Sequence, residues 1–262
     1  MRDFNYKKKF GQNFLKDNHI VERIVSEAQI LEDTLVVEVG PGKGVLTKEL
    51  SKKANNVICY EIDEELQYEL INLQKEYKNV TVKFCDFLCV DLLDDLKEYD
   101  YKHLYFISNV PYYITTPILT KIMESKLPFE KIVMMVQKEV GERFSAKPES
   151  KSYSSITVFL NYFYNIKKLF NVSRNEFIPV PNVDSEVICF EKKNEQLNVK
   201  DEELFFRLVR DSFKFKRKTI KNNLKNYDLL KIESVLKNNG FSLETRAEQI
   251  PLDVFVEISN AL

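Results

Sequence analysis

The stretch Leu35-Val36-Val37-Glu38-Val39-Gly40-Pro41-Gly42-Lys43-Gly44 decides the fold. Its first half is a short β-rich run, its second half holds three glycines, and residues 45–53 then keep a helical pattern. Strand, Gly-rich turn and helix amino terminus in that order make the mononucleotide-binding half of a doubly wound α/β fold. The glycines let the backbone pass close to a ligand, and the helix start offers N–H groups to a carboxylate or phosphate. A Gly-x-Gly-x-Gly alone is common, so the weight lies on the strand before it and the helix after it.

Working outward, residues 56–60 read as the next strand and end in Glu61. An acidic residue at a strand end, roughly twenty positions past the glycines, is placed to hydrogen-bond a ribose diol; the plainer alternative is a strand-end charge. Residues 63–77 read as a helix capped by Asp63, and residues 80–85 as a third strand ending in Asp86-Phe87, where a carboxylate beside a ring suits an adenine. Residues 104–108 form the fourth strand and deliver Asn109-Val110-Pro111-Tyr112. The Asn109 amide oxygen and the Val110 carbonyl are two acceptors. Pro111 holds Val110 extended and so aims its carbonyl, and Tyr112 supplies a flat face. Two acceptors beside an aromatic suit the exocyclic amino group of a planar base; a rigid strand-to-helix turn is the simpler alternative for four residues taken alone. The chemical reading gains because four consecutive strands hand a polar group to one edge of the sheet, where doubly wound sheets bind ligands.

Before this core, Lys7 to Leu15 reads Lys-Lys-Lys-Phe-Gly-Gln-Asn-Phe-Leu. It is either a solvated terminus with apolar anchors or a lid whose Gln12 and Asn13 fold over a ligand. Asp17 or Asn18 would cap the helix that follows. After the core come a helix at residues 115–125, a fifth strand at 131–137, a polar surface loop through 144–155 and a buried strand at 156–164. Phe177-Ile178-Pro179-Val180-Pro181 makes a stiff turn presenting an aromatic, and residues 187–190 close the sheet. Residues 192–200 read as a linker, beyond which the periodicity is helical. Two domains are therefore expected, 1–192 and 193–262. In the second, Lys214, Lys218, Lys221 and Lys225 recur at helical spacing with Arg217 beside them, and no acidic residue interrupts Phe213 to Tyr227. That predicts a phosphate-facing stripe on a helix, against the plainer reading of a solvated face.

At 262 residues, with 44% hydrophobic and 30% charged side chains, the chain has the composition of a globular protein with a sizeable core. Its formal net charge of -1 means that any grip on nucleic acid comes from local basic patches and not from a global field. Cys59, Cys85, Cys89 and Cys189 show no CxxC spacing and lie in or beside apolar runs. Buried reduced thiols are expected, with neither disulfide nor metal site. The charged start has no signal-like apolar stretch and no run is long enough to span a membrane, so cytoplasmic residence is expected.

Together these residues resemble the ribosomal RNA small-subunit adenine dimethyltransferase family, the KsgA type. The resemblance runs from about Lys8 to Leu262 and is carried by several motifs in order: residues 10–15, residues 38–44, Asn109 to Tyr112 with residues 114–117, Gln137-Lys138-Glu139, Phe177 with Val183-Asp184-Ser185, Arg217-Lys218-Thr219, and residues 246–262. It implies a Rossmann-like S-adenosylmethionine-dependent methyltransferase domain followed by a smaller all-helical RNA-binding domain. It further implies S-adenosylmethionine held by Asn13, Leu15, Gly40, Gly42, Glu61, Asp86 and Asn109, with Gln12 nearby. The base would lie between Tyr112 and Phe177, its amino group on Asn109 and on the Val110 carbonyl held by Pro111. RNA would be gripped by Lys214, Arg217, Lys218, Lys221 and Lys225. The family usually has Leu at the position of Val110, which acts through its backbone. The implied reaction is N6,N6-dimethylation of two adjacent adenines in the 3'-terminal hairpin of small-subunit ribosomal RNA, by a monomer acting on a pre-assembled small subunit. Rival readings are a large-subunit methyltransferase of the erythromycin-resistance type, a DNA adenine methyltransferase, a nicotinamide oxidoreductase and a non-catalytic assembly factor. The Arg217-Lys218-Thr219 segment resembles the small-subunit enzymes, and an oxidoreductase leaves Asn109 to Tyr112 without a task.

Overall fold

The computed structural model describes residues 14–195 and 197–262. Gln12 and Asn13 lie outside the described residues. The chain divides into two compact units, one running up to Gly141 and including Lys167–Glu191, the other made of Glu142–Ile166 and Lys192–Leu262.

The strands are β1 (Phe14–Leu15), β2 (Thr34–Val39), β3 (Asn56–Glu61), β4 (Val80–Phe84), β5 (His103–Ser108), β6 (Phe129–Gln137), β7 (Tyr164–Val172), β8 (Phe177–Ile178) and β9 (Ser185–Lys192). Seven of them form one sheet in the order β4-β3-β2-β5-β6-β9-β7. The strands β4 to β6 pair parallel and β9 runs antiparallel to β6. All six residues of β2 are buried, as a parallel strand covered on both faces requires. The chain builds β2, β3 and β4 outward in one direction, then returns to place β5 and β6 on the other side of β2. Between β2 and β5 the direction of winding reverses, and the crevice at such a switch point is where these sheets bind ligands.

Local chemistry sets the turns that open this crevice. Asp17 accepts a hydrogen bond from the His19 N–H at 2.8 Å and so caps the helix Asn18–Ala28. Gly44 stands at the amino cap of the helix Val45–Ser51 with φ 77, and a Cβ there would lie 2.6 Å from Leu73 Cδ1. Left-handed backbone and close packing together demand glycine at this point.

Two sequence expectations are corrected. Residues 156–164 are not a strand: Ser155–Phe163 is a helix, and β7 begins at Tyr164. A short apolar run is ambiguous by periodicity, and the cap decides it, with the Ser154 N–H donating to Thr157 Oγ1 and the two hydroxyls 3.2 Å apart. Tyr153, Val158 and Tyr162 share a core with Phe205, Leu208 and Phe255 of the helical unit. That unit also holds the helices Glu202–Ser212, Ile220–Asn223, Leu229–Asn238 and Leu252–Ala261.

The second correction concerns the lysine stripe. Residues 213–219 are turns, and the following helix is only Ile220–Asn223. Asn223 Nδ2 donates to the Ser212 carbonyl at 2.7 Å and to the Phe215 carbonyl at 3.3 Å. A side-chain amide thus takes carbonyls that a continuous helix would pair with its own N–H groups. Lys214, Arg217, Lys218, Lys221 and Lys225 are all exposed, but on two turns and the short helix between them instead of one helical face.

Candidate active site

A cavity of ≈ 480 Å³ opens at the carboxyl ends of β2, β3, β4 and β5, within the usual range for a small-molecule site. Gly40, Glu61, Asp86 and Asn109, one from each of these strand ends, all line it, as do Leu15, Gly42, Val110, Pro111 and Tyr112. The two motifs of the sequence are packed together, since a Cβ on Gly40 would sit 3.5 Å from Pro111 Cδ. Ser108 fixes the mouth of the crevice. Its buried hydroxyl donates to the Val39 carbonyl at 2.5 Å and accepts from the Val39 N–H at 3.3 Å, so a side chain bridges β2 and β5 just where Gly40 and Asn109 diverge.

Glu61 is buried and held by its own backbone: Oε2 accepts from the Gly42 N–H at 3.2 Å and Oε1 from the Asp63 N–H at 2.8 Å. Burial raises its pKa, and these N–H groups oppose the rise. Asp86 is exposed, and its Oδ1 accepts from the Leu88 N–H at 2.9 Å to cap the turn Phe87–Cys89. Phe87 is buried against Tyr60, ring centroids 5.3 Å apart and edge to face, so it forms the cavity wall. The apolar lip is supplied by Ile62, Leu88, Tyr113 and Ile178, all exposed and all lining the cavity. Sequence reasoning missed these four; an apolar residue directly after a strand-end carboxylate, as in Glu61-Ile62, is the signal that would have found the first.

Glu38 was also missed as a site residue. It lines the cavity while only 1% exposed, its Oε2 accepts from the Thr47 hydroxyl at 2.7 Å, and Cys59 Sγ lies 3.5 Å away. Burial raises its pKa to about 7, against the hydrogen bonds from Thr47 and Cys59.

Val110 is buried and Asn109 half-buried at the start of the turn Asn109 to Tyr112. The Tyr112 hydroxyl is 2.6 Å from Ser185 Oγ, and burial raises its pKa. Phe177 departs from expectation. It is fully buried in the sheet core, while Ile178 is 42% exposed and lines the cavity. β8 pairs with β1 so that Phe177 faces Leu15 in register, and alternation along the strand turns one side chain in and the next out.

Among the described residues no group of three or more His, Cys, Asp or Glu could hold a metal ion. His103 Nδ1 lies 2.9 Å from Glu130 Oε2, outside the cavity lining. The four cysteines are free, but only Cys59 and Cys189 are buried; Cys89 is exposed at the end of the Phe87 turn. No helix among the described residues is long and apolar enough to cross a membrane.

Residues 3–262 match the family described as ribosomal RNA adenine dimethylase. The chain belongs to this family. It is 40% identical to ribosomal RNA small subunit methyltransferase A of Streptococcus thermophilus, over 99% of this chain and 92% of that protein. Among solved structures it is similar to a dimethyladenosine transferase from Plasmodium falciparum, with TM-score 0.76 and 25% identity over 94% of this chain and 95% of that one. It is also similar to the 23S rRNA methyltransferase ErmE, with TM-score 0.75 and 26% identity over 95% of this chain and 99% of that one. As a ribosomal RNA adenine dimethylase the chain is a methyltransferase of Rossmann-like fold, and S-adenosylmethionine is its methyl donor. The Gly-rich turn, the fixed buried carboxylate of Glu61 and the size of the cavity fit that donor.

Proposed function

We propose that this chain dimethylates N6 of two adjacent adenines in the 3'-terminal hairpin of small-subunit ribosomal RNA. The observation that carries the reading is that Asn109, Val110 and Tyr112 face the same cavity as Gly40, Glu61 and Asp86. Base acceptors and cofactor acceptors therefore share one site. The small-subunit assignment draws support from the 40% identity to a small subunit methyltransferase over 99% of this chain.

In this reading Glu61 would take the ribose hydroxyls, Asp86 the adenine amino group of the donor, and the Gly40–Gly42 turn with Leu15 would enclose its amino-acid end. When bound, S-adenosylmethionine supplies an electrophilic methyl group. The chain has to position a weak nucleophile, because the lone pair of an adenine N6 is delocalised into its ring. The Asn109 side-chain oxygen and the Val110 carbonyl accept the two N6–H bonds, which draws the nitrogen toward tetrahedral geometry and frees its lone pair to attack. Asn109 and Val110 would hold N6 with its lone pair toward the methyl group that the donor supplies; once methylated, N6 would lose a proton to water, since neither acceptor is a base. No base has to ionise first, so orientation and preorganised acceptors provide most of the acceleration. Tyr112 offers the stacking face for a base extruded from its helix. With Phe177 buried, Ile178 is the β8 side chain presented to the cavity.

The chemistry belongs to the unit that carries the sheet and the RNA grip to the helical unit, into which Glu142–Ile166 also fold, so that the division falls elsewhere than the expected boundary at 192/193. The grip is through Lys214, Arg217, Lys218, Lys221 and Lys225. A cytoplasmic monomer acting on an assembled small subunit completes the reading. The test is incubation with labelled S-adenosylmethionine and unmethylated small ribosomal subunits, followed by mass spectrometry of nucleosides. Two dimethyladenosines per subunit are expected. Label confined to DNA, to large-subunit RNA, or to a single methyl per adenine at completion would overturn it.

A further inference from the structure

In Phe213-Lys214-Phe215 the two rings have opposite fates. Phe213 packs in the core of the helical unit, its centroid 6.0 Å from that of Tyr153 and 5.9 Å from that of Phe255. Phe215 is 57% exposed, and its neighbours Lys214, Lys216, Arg217 and Lys218 are exposed as well. The Lys214 ammonium stands 5.9 Å from the Phe215 ring centroid.

The turn that carries this ring is pinned along its length. The Phe215 carbonyl accepts from the Lys218 N–H at 2.9 Å and from Asn223 Nδ2 at 3.3 Å, the Lys214 N–H donates to the Asp211 carbonyl at 3.2 Å, and Lys216 Nζ donates to the Lys151 carbonyl at 3.0 Å. A ring presented on a pre-ordered backbone loses little conformational entropy when it meets a partner. The chemistry of the surroundings selects that partner. An apolar protein surface covering Phe215 would strip water from four cations and give them nothing in return. Unpaired RNA offers phosphates to the cations and the face of a base to the ring, the combination by which proteins hold single strands.

We infer that Phe215 is a stacking platform for an unpaired nucleobase, set at the centre of a phosphate-binding turn and separate from the methylation cavity. The inference rests on the reading above that this unit meets RNA. Stacking on Phe215 would tell looped RNA from fully paired RNA, which lysines that touch only phosphate do not.

The experiment uses the full chain and two fluorescent RNAs, a hairpin with an unpaired loop and a loop-free duplex of equal length, titrated across a range of salt. Phe215→Ala should keep the wild-type melting temperature, weaken hairpin binding about tenfold, leave duplex binding unchanged and leave the salt slope unchanged. Phe215→Trp should bind the hairpin as wild type does. Wild-type hairpin affinity in Phe215→Ala, equal weakening on both RNAs, or failure of Trp to restore binding would each overturn the stacking role. A Lys214→Gln, Lys218→Gln, Lys221→Gln variant checks the underlying reading by itself, and should flatten the slope by roughly 0.7 to 0.9 log units for each phosphate no longer neutralised. A wild-type slope there removes the phosphate reading and the inference with it; wild-type behaviour of Phe215→Ala alone removes only the inference.

Discussion

The phenolic oxygen of Tyr112 and the hydroxyl of Ser185 lie 2.6 Å apart, though the residues are 73 positions apart in sequence. Ser185 is fully buried and pairs in register with Gln137 at the end of β6. Its neighbour Asp184 is fixed from two sides, the carbonyl accepting from the Lys138 N–H at 3.0 Å and Oδ1 from the Arg174 N–H at 2.9 Å. The turn that carries the acceptors is thereby tied to the antiparallel part of the sheet through the ring of its own aromatic. Ser185→Ala should lower methyl transfer about three- to tenfold, the worth of one ordinary hydrogen bond, with cofactor affinity unchanged. Tyr112→Phe should do the same, and the double variant should be no worse than either single one, because each change removes the same bond. Single-turnover rates check this. Additive losses would show that Ser185 acts through something other than Tyr112.

Glu61→Ala and Asp86→Ala should each weaken S-adenosylmethionine binding by about 1 to 3 kcal/mol. Glu61 should stand at the upper end, since its carboxylate is buried and held by two N–H groups, whereas Asp86 is exposed. Calorimetry decides it, and unchanged affinity in both variants would refute the assignment of the strand-end carboxylates.

The strand ends are legible in the sequence because each is a local signal: a β-rich run that stops at Gly40, Glu61, Asp86 or Asn109. What is not legible depends on partners distant in sequence. The burial of Phe177 follows from the pairing of β8 with β1, and the tether of Tyr112 follows from the register of β9 against β6. The helix Ser155–Phe163 reads as a strand in sequence because its apolar and aromatic residues satisfy either period, and only the Ser154 and Thr157 side chains break the tie. The lysine spacing misleads in the opposite sense. Steps of four and three fit a helix, but Asn223 captures two carbonyls that the helix would need.

Glu38 should make stability depend on pH. Its folded pKa is raised to about 7 from an ordinary 4.5, mainly by burial, with the charge of Glu61 adding to the rise and Thr47 and Cys59 opposing it. A group whose folded pKa is raised gives its full stabilisation below the unfolded value and loses it as pH climbs through the folded value. At about 1.4 kcal/mol per pKa unit, the loss between pH 4.5 and pH 7 and above is about 3 kcal/mol. Glu38→Gln cannot ionise, so it should gain on the wild type by most of that amount, about 2.5 kcal/mol, as pH rises from 5 to 8. Urea unfolding at several pH values measures the gap, and parallel profiles would exclude the assignment.

The acceptor mechanism makes its sharpest demand at Asn109. Its half-buried side chain follows the last residue of β5, and the Ser108 bridge to Val39 fixes its backbone independently of the side-chain amide. Asn109→Ala should therefore keep the fold and most of the donor affinity while cutting turnover at least a hundredfold, the scale seen when one preorganised polar group is removed from a transition state. Asn109→Asp is the informative companion, because it keeps an acceptor oxygen at nearly the same place and replaces the amide NH2 with a second oxygen. If accepting an N6–H bond is what matters, Asp should recover part of the rate that Ala loses, at a donor affinity changed by the new charge. Quench-flow measurement of methyl transfer at saturating donor separates the two effects. Near-normal turnover in Asn109→Ala would remove the side-chain acceptor from the mechanism and leave the Val110 carbonyl to orient the amino group alone.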